Sequence, residues 1–550
     1  MTNEMVFMLG AVGFVIVLIV VLAIRERLLL KQRIARDWQR VPAVTNFDKE
    51  DSLKEAWQIY HKLNPSQSTV DDITWHDLDM IRVFELVNGT KSSVGAERLY
   101  QKMREFDLDG KEGSEFQELV TFFAEHDQER AEMQYQLARA GKRDKNFVWH
   151  YLHNPRENQL GNPLIYYVLG SLPVVSLLLF ALTKIGPLVL VAIVGIMINV
   201  VFYMQKKEVL QRELLSMNYL VCLIAQSSNI AKVSQPLQDK IKTLAKELKI
   251  IARLGFAFRV KANSEAEVFF EYLNIAFMLP FISYNLVLKK LDTHQQEAIE
   301  LLEMIGNIDA AIAVLNFKQI MPYVCQPETT ETTQVVAEEM YHPLLQAPVV
   351  NPVNWHKSTL VTGSNASGKS TYIKGVALNA ILSQTIGLAC AKSWKMKAGH
   401  VLSSMALEDD LFQGDSYFVA EIKSVKRIIQ QVKKGETCYC FVDEILRGTN
   451  TIERIAASSA IVEWLTKSQS LGFIATHDIE LTEILNDVCE NIHFEEQVTE
   501  EEGVEFDYVL YQGPARTRNA LKLLKVMAFP KEIVVEAESK ARHFEDSRSW

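Results

Sequence analysis

Apolar residues are spread unevenly along this chain. Residues 5–24 form an unbroken uncharged run, and residues 164–204 form a second block whose one charge is Lys184. A helix rises ~1.5 Å per residue and a bilayer's hydrocarbon layer is roughly 30 Å thick, so runs of about twenty residues reach across it. Lys184-Ile185-Gly186-Pro187 interrupts the second block. The pattern therefore predicts three membrane-spanning helices, at 5–24, 164–183 and 187–204.

Residues 41–160 and 205–327 read differently. They are polar, with apolar side chains at near-helical intervals: Leu78, Ile81 and Phe84, then Leu99, Met103 and Phe106, and later one-faced runs at 210–225 and 237–257. Asn88-Gly89 is a turn signal. Both segments are predicted to be helical. From 328 the pattern shifts to short apolar runs that read as buried strands, at 358–362, 438–442 and 471–475, with helical stretches between them. The proline-bearing segment 321–354 reads as irregular chain with short strands and marks the boundary of a C-terminal domain, 328–550.

Charge orients the spans. Arg25, Arg27, Lys31, Arg33, Arg36 and Arg40 follow the first run, whereas only Glu4 precedes it. A cleaved signal peptide would carry its basic residues before the apolar stretch, so an uncleaved anchor is expected, with the N-terminus outside and the chain after it in the cytoplasm. Basic residues also flank the second block on both sides (Arg139, Lys142, Arg143, Lys145 and Arg156 before it, Lys206, Lys207 and Arg212 after it). That block is thus expected to be a hairpin with Lys184 at its outer tip. The expected location is the cell membrane, multi-pass, with the large polar segments cytoplasmic. The net charge of −10 argues against a surface coated for non-specific DNA binding. The six cysteines are scattered, and none has partners at zinc-finger spacing, so they read as reduced core residues.

The chemistry lies in the C-terminal domain. Gly363-Ser364-Asn365-Ala366-Ser367-Gly368-Lys369-Ser370 fits G-x-x-x-x-G-K-[ST], between a predicted strand and a predicted helix that starts at Thr371. Such a loop holds a triphosphate with main-chain N–H groups, a helix N-terminus and the Lys369 ammonium. Gly363 and Gly368 permit the close approach, and Ser370 is expected to ligate Mg²⁺. The apolar run 438–442 ends in Asp443-Glu444. A carboxylate at the tip of a parallel strand reaches the Mg²⁺ shell, which suits Asp443, and Glu444 is then placed to orient and deprotonate water. The run 471–475 ends in Thr476-His477, which makes His477 a candidate for contact with the γ-phosphate. ATP and Mg²⁺ are the expected cofactors.

Several ordered stretches of this domain resemble the ATPase domain of the DNA mismatch repair protein MutS family. They are 362–372 with its Ser-Thr-Tyr, Asp409-Asp410-Leu411 with Gly414, Ser416, Phe418 and Glu421, Asp443-Glu444 with Arg447-Gly448-Thr449-Asn450-Thr451, 475–477 with 480–482, and 530–534. More weakly, 71–80, 92–95 and 99–100 resemble the helical core of membrane-bound members, and 308–327 the end of the lever. The resemblance implies an α/β P-loop (ABC-type) ATPase domain, preceded by an all-α core and lever region and joined here to three transmembrane helices. It further implies a homodimer with ATP between subunits, where Ser416 of one protomer faces the phosphate loop of the other. Asp415 departs from the basic or small residue usual before that serine. The family's adenine-stacking aromatic residue is not fixed by the pattern: Tyr341, His342 and Trp355 all qualify. A span stands where mismatch-reading members carry a wedge domain, and Phe269-Phe270-Glu271, which matches that wedge's Phe-x-Glu, reads as helix packing.

The expected function is a membrane-anchored ATPase that binds and hydrolyses ATP at a dimer interface to drive a conformational switch on an unidentified protein partner. Two alternatives stand beside it. One is a membrane-tethered DNA-binding, mismatch-repair-like protein. The other is an ABC-type transporter component, against which the uncharged spans and the missing Leu-Ser-Gly-Gly-Gln signature argue.

Overall fold

The computed structural model describes residues 3–45, 47–63, 65, 68–108, 110–143, 146, 148–153, 155, 160–258, 265–364, 367–405, 417–499, 503–515, 520–527 and 529–547. The chain divides into two compact units.

The first unit comprises residues 1–66, 85–101 and 114–320, and its described elements are helical. Its helices Pro163–Thr183 and Pro187–Val209 are the two, among the described residues, long and apolar enough to cross a membrane. Asn162 caps the first of them by accepting from Leu164 N–H at 3.0 Å. Lys184 ends it in the left-handed conformation, and Pro187 opens the second. Leu164, Val168, Leu178, Leu182, Leu190 and Met197 stay exposed along the pair. The expected first span falls in the helix Asn3–Asp37, where side chains 3–16, 18 and 19 lie outside the described residues.

Around the long helix Gln295–Ile320 the unit closes on a few buried polar ties. Asp309 is fully buried and accepts from Ser92 N–H at 2.8 Å, from Ser92 Oγ at 2.5 Å and from Lys91 N–H at 3.0 Å. It thereby satisfies donors at the start of the helix Ser93–Arg104. Burial pushes its carboxyl above the ordinary range, and these hydrogen bonds oppose that. A Cβ on Gly95 would lie 2.3 Å from the same carboxylate, which is why the helix carries glycine there.

The second unit comprises residues 67–84, 102–113 and 321–550, a mixed α/β body. Its strands are β1 (Glu328–Thr329), β2 (Val335–Met340), β3 (Asn351–Trp355), β4 (Thr359–Thr362), β5 (Ser393–Met396), β6 (His400–Ser404), β7 (Cys438–Asp443), β8 (Ser470–Ala475), β9 (Glu490–His493), β10 (Glu496–Thr499), β11 (Gly503–Phe506) and β12 (Tyr511–Gln512). One sheet has the order β12-β9-β4-β8-β7-β6, parallel from β9 to β6. A smaller sheet runs β1-β5-β2-β3, and β10 pairs with β11 as a hairpin. Strands β4 and β8 are buried along their whole length, as expected of parallel strands covered on both faces.

Residues 67–84 and 102–113 lie within the stretch that the sequence assigns to the helical region, yet they pack with the C-terminal body. The reason is specific polar chemistry. Asp77, buried in the short helix Asp72–Asp77, accepts from Ser403 Oγ at 2.7 Å and from Met405 N–H at 2.9 Å. Thr74 Oγ1 accepts from Ser403 N–H at 3.1 Å, and Arg427 reaches Asp71 and the Ser403 carbonyl. The edge strand β6 is thus tied to the segment 71–77 by side-chain hydrogen bonds.

Candidate functional site

The loop 363–368 leaves the C-terminal end of β4 and enters the helix Lys369–Thr385, the strand-loop-helix arrangement its motif requires. Gly363 has φ +135° and Gly368 φ +99°, the left-handed half that favours glycine. Any Cβ at Gly363 would lie 2.4 Å from the Phe494 carbonyl oxygen, and one at Gly368 would lie 2.9 Å from the Tyr508 ring. Ser367 is buried, and its hydroxyl donates to the Ser364 carbonyl at 2.8 Å. Asn365 and Ala366 lie outside the described residues, as does Ser416 with the rest of 406–416. Thr371 is exposed at the first turn of the helix.

Because β4, β7 and β8 run parallel, their C-terminal ends meet on one edge of the sheet. This edge is where α/β folds bind ligands, and it gathers five of the expected residues. Ser370 Oγ donates to Asp443 Oδ2 at 3.2 Å, which puts a hydroxyl and a carboxylate together as a pair of oxygen ligands for a hard divalent cation. Lys369 is completely buried, and burial lowers its pKa against the pull of Asp443 and Glu444. Its Nζ lies 3.3 Å from His477 Nε2, and that same ring nitrogen lies 3.0 Å from Glu444 Oε1. When protonated the nitrogen donates to the carboxylate, and when not it accepts from the ammonium. A buried ammonium with two carboxylates beside it, under a loop with no room for a Cβ at Gly363 or Gly368, fits a polyphosphate and its cation.

Glu444 sits at φ +53° and Leu446 at φ +59°, rare for residues with a Cβ. Hydrogen bonding from His477, and then from Arg447, holds the Glu444 carboxyl down at a pKa of about 2. The turn that carries it is fixed from two sides: Glu444 N–H donates to the Ala475 carbonyl at 3.0 Å, and Arg447 N–H donates to Glu421 Oε1 at 3.0 Å. Glu421 is buried in the helix Tyr417–Val432.

Next to the loop lies a cavity of about 340 Å³, bordered by Gly368 and Thr371 and lined by His342, Val349, Tyr372 and Tyr508 among others. Of the three aromatic candidates, Tyr341 and His342 line it, whereas Trp355 is fully buried against Phe473, Phe441 and Tyr439. Burial lowers the His342 pKa to about 4, with Lys374 adding to the effect. Sequence reasoning missed Tyr508. It stands at φ +56°, its carbonyl held by Asn351 Nδ2 at 2.9 Å across 157 residues, and no local pattern announces it. Glu496 was also missed. It belongs to the acidic run 495–502, and its Oε2 accepts from Ser364 Oγ at 2.7 Å on the loop itself. Residues 500–502 of that run lie outside the described residues.

Residues 359–545 match the family MutS domain V. The DNA mismatch repair protein MutS of Aquifex pyrophilus is 29% identical over 273 residues, 46% of this chain and 31% of its own length. MutS protein homolog 4 of Homo sapiens is 27% identical over 296 residues, 51% of this chain and 31% of its own. The MutS of Lactobacillus delbrueckii subsp. bulgaricus is 26% identical over 331 residues, 58% of this chain and 37% of its own. The chain thus spans about a third of the length of these relatives. The matched region begins with β4 and takes in the phosphate-loop motif, the Asp443-Glu444 strand end and His477, so this region of the chain is MutS-related.

Proposed function

We propose that this chain is a membrane-anchored ATPase of the P-loop, ABC type, whose ATP-driven cycle works as a conformational switch. The observation that carries this reading is the buried Lys369 ammonium, set under the loop with Asp443, Glu444 and His477 around it. Loop amides from 363 to 371 and Lys369 bind the triphosphate, and the cavity beside Gly368 takes the base, with Tyr508 and His342 against it. Ser370 and Asp443 would hold a Mg²⁺ ion, which would supply positive charge to the polyphosphate. Glu444 orients the attacking water, and His477 meets the γ-phosphate. Before Glu444 can take a proton, it must leave Arg447 and His477, because a carboxylate so stabilised is a poor base. We assign that release to closure of a homodimer, in which Ser416 of the opposing protomer completes the site.

Phosphate release by the purified full chain with Mg²⁺ and ATP tests the proposal. Lys369→Ala should lose nucleotide binding, and Glu444→Gln should bind but not hydrolyse. A folded chain that neither binds nor hydrolyses ATP would overturn it. The names of the relatives favour a second reading, a membrane-tethered DNA-binding protein. A duplex affinity that falls steeply with salt supports that reading, and no binding at low salt ends it.

A further inference from the structure

Two helices of the first unit, Glu265–Ala276 and Leu279–Leu291, meet at the corner Phe277–Met278. From Tyr272 to Leu288 the chain carries no charge, with Glu271 before it and Lys289 and Lys290 after it. Bent in the middle, this run cannot cross a bilayer. It is seated instead on the apolar hairpin. A Cβ on Gly170 would lie 2.4 Å from the Phe277 carbonyl oxygen, so only glycine lets the corner approach. Asn199 is fully buried, and its Nδ2 donates to the Leu169 carbonyl at 2.8 Å and to the Ala276 carbonyl at 2.7 Å. The Ala276 carbonyl belongs to the last turn of its helix, where no intrahelical N–H reaches it. In hydrocarbon such a group needs a partner from the protein itself, and Asn199 provides one.

Depth follows from the helices. Gly170 lies seven residues into its helix from Pro163, hence ~10 Å along the axis from the hairpin's open end. Charge resumes at one level on both elements, where Lys207 Nζ meets Glu271 Oε1 at 3.0 Å. Just inside that level Phe281 stacks on Tyr166 at 5.1 Å and meets Tyr203 edge-on at 5.3 Å, an aromatic grouping suited to a membrane boundary. Phe277, Leu279 and Ile282 are only partly covered by protein, and Leu164, Val168 and Met197 of the hairpin are exposed.

We propose that the Phe277–Met278 corner is a re-entrant element: it enters the leaflet at the hairpin's open end, and acyl chains cover its free face. This rests on the reading of the hairpin as membrane-embedded. The hairpin is then not a bare tether. It is clasped by helices that continue directly into Gln295–Ile320.

The full chain, with the two incompletely buried cysteines replaced (Cys222→Ser, Cys325→Ser), is labelled with an environment-sensitive fluorophore at Phe277→Cys, or at Leu279→Cys should the first variant misfold. Ile193→Cys marks the hairpin, and Gln296→Cys marks exposed solvent-side chain. Each is reconstituted into phosphatidylcholine vesicles with and without brominated acyl chains. The expected result is loss of at least half the emission at 193 and at 277, and none at 296. Quenching at 193 without quenching at 277 overturns the corner and leaves the hairpin reading intact. Quenching at neither position brings down both. Emission at 277 that responds to a second labelled copy and not to lipid assigns the face to a subunit contact and also overturns the proposal.

Discussion

The buried carboxylate of Glu421 accepts the main-chain N–H of Arg447 at 3.0 Å. Main-chain donors at Leu446 and Gly448 also point to it, against the upward push of burial on its pKa. One acid on the helix Tyr417–Val432 therefore holds the turn that presents Glu444. Its partners among the described residues are main-chain N–H groups of that turn, so its part is to position.

Glu421→Ala should accordingly leave ATP affinity within a few-fold of the parent chain and lower kcat by ~100-fold, the scale of a misplaced catalytic group. Glu421→Gln keeps an accepting oxygen and should recover most of the rate. Steady-state kinetics beside equilibrium nucleotide binding checks this. Equal loss of affinity and rate in Glu421→Ala would mark a merely structural residue.

Arg447 competes with catalysis in the arrangement described. It pairs with Glu444 while the carboxyl is held, first by His477 and then by Arg447, at about 2 against an ordinary value of 4.5. A depressed carboxyl contributes stability above its unfolded pKa, and that contribution is lost as the pH falls from 4.5 toward 2. Arg447→Ala removes one of the two side chains that hold the Glu444 carboxylate. The acid limb of kcat/KM, which reports the free enzyme's base, should then move upward, and the loss of stability on acidification should be smaller. A limb that stays put in this variant would show that Arg447 does not govern the base.

Much of this was legible in the sequence wherever function is written in consecutive residues. The loop 363–370, the Asp443-Glu444 strand end and the Thr476-His477 strand end fell where the motif and the apolar runs put them, because a parallel strand announces itself by an unbroken apolar stretch and its tip by the first polar residue. Contacts made across long stretches of chain were not legible. Tyr508 reaches the cavity through Asn351, Glu496 reaches Ser364 over 132 residues, and residues 67–84 join the α/β body through single hydrogen bonds to β6. Periodicity reports which face of a helix is buried and is silent on what buries it. The corner at Phe277–Met278 shows the same limit: its uncharged run is too short and too bent for a span and so reads as ordinary helix.

His342 gives the cavity a pH dependence with a definite sign. Burial, aided by Lys374, lowers its pKa from 6.5 to about 4, while Asp79 opposes. The unfolded chain therefore binds a proton between those values that the folded chain refuses. Stability from this residue is full above pH 6.5 and falls as the pH drops toward 4, by about 2 kcal/mol at pH 5. In urea titrations of the second unit's transition, His342→Phe should lose less stability than the parent between pH 7 and pH 5. An identical loss would remove His342 from the account.

Asp77 tests whether the early segment belongs to the α/β body in energy as well as in space. Its carboxylate is buried and receives Ser403 Oγ–H at 2.7 Å and Met405 N–H at 2.9 Å, next to Arg427, which bridges Asp71 and the Ser403 carbonyl. Truncation to alanine strands two buried donors, each costing about 1–3 kcal/mol if left unmatched. Asp77→Ala should therefore destabilise the second unit by roughly 2–4 kcal/mol, and Asp77→Asn, which keeps one acceptor, by about half as much. The stretch joined to these donors, from β6 into residues 406–416, leads to Ser416 and the helix Tyr417–Val432. Hydrogen exchange should consequently quicken in β6 and in that helix while the amides of β4 and β9, on the far side of the sheet, keep their protection. Uniform quickening across the sheet would mean that Asp77 supports global stability alone, and unchanged exchange in β6 would mean that the segment's docking carries no energy.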